Sequence, residues 1–105
     1  FIVDSVCENL DLYGADLHAL GVQESSLSNV DFTNAAVQES TFSESTLERC
    51  TFSGADLTEA EFDDLELKDC DFAGSALKSA KAKDVRFIGS TNLRMSGKGK
   101  GVTSE

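Results

Sequence analysis

Along most of the chain an apolar residue returns every five positions. The series runs Ile2, Cys7, Leu12, Leu17, Val22, Leu27, Phe32, Val37, Phe42, Leu47, Phe52, Leu57, Phe62, Leu67, Phe72, Leu77, Ala82 and Phe87. A strand buries every second residue and a helix follows a period of 3.6, so neither produces this spacing. With 40% of the chain apolar, an unbroken series of this length arises by chance with a probability on the order of 10^-7. A second lane lies two residues before each centre, from Ser5 to Val85. It holds Ser, Ala, Leu, Val and Cys and no charged residue, although 27% of the chain is charged. The charge falls on the other three positions. Each unit of five therefore has one large inward residue, one small inward residue and three outward ones.

A longer period lies over the short one. Two residues after the centre, Gly14, Asn34, Gly54 and Gly74 recur at twenty-residue spacing. Gly and Asn tolerate a positive φ, as some tight turns require. A turn recurring on that interval predicts that four units close one circuit. Phe32, Phe52 and Phe72 then share one side, and Phe42 and Phe62 another. Successive circuits would stack at sheet spacing, about 4.8 Å. The expected structure is all-β: a four-sided parallel solenoid with an apolar axis, each coil touching only its neighbours. Its predicted core is Phe32, Phe42, Phe52, Phe62 and Phe72 with Leu47, Leu57, Leu67 and Leu77. A hairpin sandwich would place turn signals at irregular intervals.

The segments GADLHAL, GADLTEA, VDFTNA and CDFAGS resemble the pentapeptide-repeat family, whose pattern is close to A(D/N)Lxx with Leu or Phe at the centre. The resemblance covers residues 2–89 as consecutive units. It implies a right-handed quadrilateral β-helix with four repeats per coil, here about four and a half coils. Ser25, Ser40, Ser45, Cys50 and Cys70 depart from the pattern at small positions without threatening the fold.

The series is already in phase at Ile2. Since an uncapped solenoid end exposes backbone and core, upstream sequence, another chain or a further domain is expected to cover that end. A chain beginning at Phe1 reads as a fragment or a processed form. The phase breaks after Phe87. Leu93 and Met95, with Ile88, are expected to form a remnant of a cap within residues 90–105. The Gly- and Lys-rich SGKGKGVTSE that follows is expected to be a flexible tail.

The chain has 105 residues, enough for one domain, and a formal net charge of −10. Up to residue 75 the balance is −15, with only Arg49 and Lys68 basic; beyond it the balance is +5. A body this acidic disfavours nucleic acid and anionic membranes as direct partners and favours a basic protein. No apolar run reaches transmembrane length, no signal peptide is visible, and no Asn-x-Ser/Thr site occurs. Three cysteines lean towards a reducing compartment such as the cytoplasm. Members of the resembled family also occur in the thylakoid lumen, so the compartment stays open.

The acids fall into columns. Glu24, Glu44, Asp64 and Asp84 share one lane, and Asp11, Asp31 and Asp71 another that Thr51 interrupts. The most acidic coil adds Glu59, Glu61, Asp63 and Glu66. These residues (Glu24, Glu44, Glu59, Glu61, Asp63, Asp64, Glu66 and Asp84) form the candidate partner-binding face, against the plain alternative that such a surface is acidic only for solubility. Cys50 and Cys70 share an inward lane on successive coils. Stacked side chains hold Cβ atoms too far apart for easy disulfide formation, so buried thiols are expected. No set of three or four metal ligands converges, and no cofactor is expected. His18 lies in an outward lane, where a catalytic role would need a nucleophile and an orienting acid around it, so a plain surface histidine is expected; SGKGKG lacks the spacing of a phosphate loop. The expected function is a non-catalytic protein-interaction or scaffold module within a larger protein or assembly, with a further contact at the N-terminal coil. The resemblance supplies an alternative, a DNA mimic that binds a type II topoisomerase such as gyrase.

Overall fold

The computed structural model describes residues 1–89 and the strand at 103–104. Eight strands form one parallel sheet: β1 (Ile2–Val3), β2 (Val6–Glu8), β3 (Gly21–Gln23), β4 (Ser26–Ser28), β5 (Thr41–Glu48), β6 (Glu61–Lys68), β7 (Lys81–Ile88) and β8 (Thr103–Ser104). Within residues 1–89 every pairing joins residues twenty apart. Ile2 pairs with Val22, Val22 with Phe42, Phe42 with Phe62, and Phe62 with Ala82. On the next side Cys7, Leu27, Leu47, Leu67 and Phe87 continue in register. The two remaining sides are held by isolated bridges through Asp11, Asp31, Thr51 and Asp71, and through Asp16, Ala36, Asp56 and Ala76. The molecule is thus a four-sided parallel β-solenoid of about four turns, as the period of twenty predicts.

The four sides are of two kinds. Sides one and two, centred on Phe42 and Leu47 in the third coil, are strands. Sides three and four, centred on Phe52 and Leu57, are tight turns, with Ala55 N–H donating to Phe52 O at 2.9 Å and Ala60 N–H to Leu57 O at 3.0 Å. The residue that opens such a side often closes its own turn. Asp11, Asp31, Asp56 and Asp71 accept the backbone N–H two residues on, at 2.9–3.1 Å. Thr51 does the same through Oγ1 at 3.3 Å. The second acidic column of the sequence is therefore turn chemistry, and Thr51 continues it.

Corners are more frequent than the Gly/Asn column suggested. Every residue two after a centre, from Asp4 to Gly89, has a positive φ. The glycine column marks the circuit correctly, but it is one of four corner columns. A non-glycine residue in this region costs about 1–2 kcal/mol. Parallel backbone bonds on both sides of each coil hold these corners in place, and eleven of the eighteen are Gly, Asn or Asp.

The core sits on the axis. Phe32, Phe52 and Phe72 stack at ring separations of 4.5 and 4.7 Å, and Phe42 stacks on Phe62 at 5.6 Å from the opposite side. The two stacks meet edge to face at 5.9–6.4 Å. Leu27, Leu47, Leu57 and Leu67 are fully buried between them. Leu77, also expected in the core, is only partly buried, because it belongs to the last coil of its side among the described residues. The small lane carries its own bonds. Ser25 and Ser45 Oγ accept N–H bonds from Ser5 and Ser25 at 3.1 Å and donate to carbonyls two residues back. A buried hydroxyl is tolerated there because it is paired. The expected cap at Leu93 and Met95 lies outside the described residues, as does the tail apart from β8, which pairs with Arg86 and Phe87 of β7.

Candidate functional site

Outward side chains form straight columns because the register never slips within residues 1–89. The corner between sides one and two carries Glu24, Glu44, Asp64 and Asp84. The column begins one coil earlier, at Asp4, which the sequence reading passed over although it lies on the same twenty-residue spacing. Five carboxylates thus stand about 4.8 Å apart along one edge of the rod. Among the described residues no base lies within ion-pair distance of any of them.

The other predicted residues lie elsewhere. Glu61 and Asp63 are on side one, Glu66 is on side two, and Glu59 is at the preceding corner. The structure sets three of these opposite bases on the next coil: Glu61 faces Lys81, Asp63 faces Lys83 and Glu66 faces Arg86. Arg86 approaches Glu66 Oε2 at 3.5 Å. The ring that looked most acidic in the sequence is bordered in register by the basic coil.

The adjacent corner behaves differently again. Asn29 donates to Asn9 at 3.2 Å, and Arg49 Nε donates to Asn29 at 3.1 Å. Arg49 and Lys68 both reach the Glu48 carboxylate, at 2.8 and 3.7 Å. That corner is a bonded ladder and its charge is largely matched.

Cys50 and Cys70 are free thiols, buried in the inward lane as expected, and Cys7 is half-buried. Their sulfurs lie 3.6 Å from Leu27 O and 3.3 Å from Leu47 O, one coil earlier. The neighbouring Cys50 thiol and burial push the Cys70 thiol far above its ordinary range, so it packs as a small neutral group. His18 pairs with Glu39 at 3.1 Å on an exposed face. Thr33, through its hydroxyl and its backbone N–H, holds the Asp31 carboxyl below the ordinary carboxylate value.

One surface feature escaped the sequence. Among the described residues, the exposed large apolar ones all belong to the first coil: Phe1, Val3, Val6, Leu10 and Tyr13. Val3 and Val6 occupy outward lanes, which a search for inward periodicity does not test.

Residues 25–64 match the family model for pentapeptide repeats, in eight copies. No curated protein matches the chain. A pentapeptide repeat protein from the Arabidopsis thaliana thylakoid lumen superposes with a TM-score of 0.55 at 18% identity, over 93% of this chain and 60% of that one. HetL, a pentapeptide repeat protein involved in heterocyst differentiation regulation in the cyanobacterium Nostoc sp. strain PCC 7120, gives 0.49 at 22% identity, over 76% of this chain and 39% of that one. Rfr23 from the cyanobacterium Cyanothece 51142 gives 0.44 at 17% identity, over 98% and 86%. The chain therefore spans 39% and 60% of the first two proteins it matches. With the five-residue period, the four-sided parallel coil and the matched repeats in hand, the chain is a four-sided parallel β-solenoid whose residues 25–64 are pentapeptide repeats.

Proposed function

We propose that this chain is a non-catalytic interaction module, a rigid rod whose side faces bind a protein with a basic surface within a larger protein or assembly. The observation that carries this reading is the carboxylate column Asp4, Glu24, Glu44, Asp64 and Asp84, none of which has an ion-pair partner among the described residues. Like charges stacked along one edge repel each other, and a basic partner would relieve that repulsion. Pentapeptide-repeat proteins in general serve as structural or interaction modules, which supports the same reading. The first coil, with its exposed apolar residues, is proposed as a further contact.

The test is calorimetric titration with poly-L-lysine of about 20 residues at low and high salt. Binding at about 50 mM salt, lost by about 300 mM and weakened by Glu24→Lys with Glu44→Lys, is the expected result. Undiminished binding to the doubly reversed variant would count against the face. The DNA-mimic alternative has less support. β7 sets Lys81, Lys83 and Arg86 in line with the acids of β6, which interrupts any phosphate-like array. Inhibition of gyrase supercoiling at micromolar protein would restore it.

A further inference from the structure

The outward lanes of sides one and two change character along the rod. In coils one to three they hold Phe1, Val3, Val6, Glu8, Gly21, Gln23, Ser26, Ser28, Thr41, Ser43, Thr46 and Glu48, of which only Glu8 and Glu48 are charged. In coils four and five the same lanes hold Glu61, Asp63, Glu66, Lys68, Lys81, Lys83 and Arg86. The upper part is an open, sparsely charged sheet face beside the carboxylate edge. The lower part is a charged lattice in which acids and bases already face each other.

The corner between the two sides is concave in both parts. In the lower part Arg86 shares a hollow of about 410 Å³ with Glu44, Asp64 and Asp84; in the upper part a shallow groove of about 560 Å³ has no base among its lining residues. Asp4, Glu24 and Glu44 form one wall and Ser5 and Ser25 the floor; Val6 and Ser26 form the other wall. Val6 is 72% exposed and Val3, beside Asp4, is 46% exposed. Both belong to outward lanes on the flank of the rod. The groove follows the rod axis, since its walls are columns of residues twenty apart.

We propose that this groove on coils one to three docks an extended peptide segment that alternates basic and apolar residues. The inference rests on the interaction-module reading and gives it a location and a partner chemistry. An extended strand turns successive side chains to opposite sides and repeats each side every 6.6–7 Å or so. Laid in the groove, such a segment directs its cations at Asp4, Glu24 and Glu44, which span about 10 Å. Its alternate apolar residues meet Val6. The lower part serves this purpose less well because Arg86 lines the hollow beside Asp64 and Asp84, and Glu61, Asp63 and Glu66 each face a base. Binding there would have to displace Lys81, Lys83 or Arg86.

The experiment uses three labelled eight-residue peptides, (Lys-Leu)4, (Lys-Ser)4 and (Glu-Leu)4, titrated with the full chain at about 50 mM salt. (Lys-Leu)4 is expected to bind most tightly, about fivefold better than (Lys-Ser)4, and (Glu-Leu)4 not at all. Asp4→Asn with Glu24→Gln and Glu44→Gln should weaken (Lys-Leu)4 about tenfold. Glu61→Gln with Asp63→Asn and Glu66→Gln makes the same change in net charge and should weaken it less than about twofold. Val6→Ser should abolish the preference for Leu over Ser. Equal losses in the two triple variants would show that binding follows net charge alone; that overturns the groove and leaves the module reading standing. A Val6→Ser variant that keeps the Leu preference also overturns the groove. Binding of neither Lys peptide would overturn both proposals. Each variant is a surface change, and its unfolding curve is recorded alongside to confirm the fold.

Discussion

The upper and lower coils share one core and differ in how they treat charge. Around Phe32, Phe42 and Phe52 the strand faces carry few charges, and the carboxylates on the edge beside them have no ion-pair partner among the described residues. Around Phe62 and Phe72 the same lanes are densely charged, and acids on β6 face bases on β7. The five-residue unit fixes which positions point inwards. It leaves three positions free, and those three distinguish one part of the rod from another. The comparison sets an open acidic edge in the upper coils against facing acids and bases in the lower ones.

The largest expected effect falls on what the two parts share. Phe52 lies between Phe32 and Phe72 and is fully buried. Phe52→Ala should destabilise the chain by about 3–5 kcal/mol in urea titration, and coils on both sides of the cut should lose structure together. Survival of one part after loss of the other would mean that the coils are energetically separate.

The next effect tests whether the corners are equivalent. A Cβ at Gly54 would collide with Asn34 Oδ1, whereas one at Gly14 would meet open space, and both residues have φ near +65°. Gly14→Ala should cost about 1 kcal/mol from backbone alone and Gly54→Ala clearly more, roughly 2 kcal/mol, by the same titration. In the opposite direction, Glu44→Gly removes both a strained φ and a like charge from the acidic edge. It should stabilise the fold by up to about 1 kcal/mol.

The smallest effect is at Asp31. Its carboxyl is held below the ordinary 3.8 by Thr33. A depressed folded value gives stability that is fully present above 3.8 and is lost as pH falls through the lower folded value. Asp31→Asn should therefore flatten the acid limb of the stability profile below about pH 4 and leave the neutral region little changed.

Much of this was legible in the sequence, for identifiable reasons. Inward lanes announce themselves because burial forbids charge, so the period, the sides and the stacking of Phe72 over Phe52 all follow from counting. Corners were under-read because the backbone imposes a positive φ wherever the coil must turn. Glu24, Glu39, Glu44 and Arg49 obey it without looking like turn residues. Outward acids were over-read because charge alone does not distinguish jobs. Asp11, Asp31 and Asp71 cap their own turns, while Asp4 and Glu24 have no partner among the described residues. The facing of Glu61 by Lys81 was present in the twenty-residue arithmetic, but it becomes visible only when the coil is read as a lattice instead of a line.

The claim that Asp4, Glu24 and Glu44 stand without facing bases, whereas Glu61, Asp63 and Glu66 have them, is tested most directly by two isocharge variants compared in low-salt urea titration. Asp4→Asn with Glu24→Gln and Glu44→Gln should raise stability by about 0.5–1 kcal/mol, because only repulsion is removed. Glu61→Gln with Asp63→Asn and Glu66→Gln should lower it by a similar amount, because Lys81, Lys83 and Arg86 lose their facing acids. Both differences should shrink at about 1 M salt. Shifts of the same sign in the two variants would contradict the account.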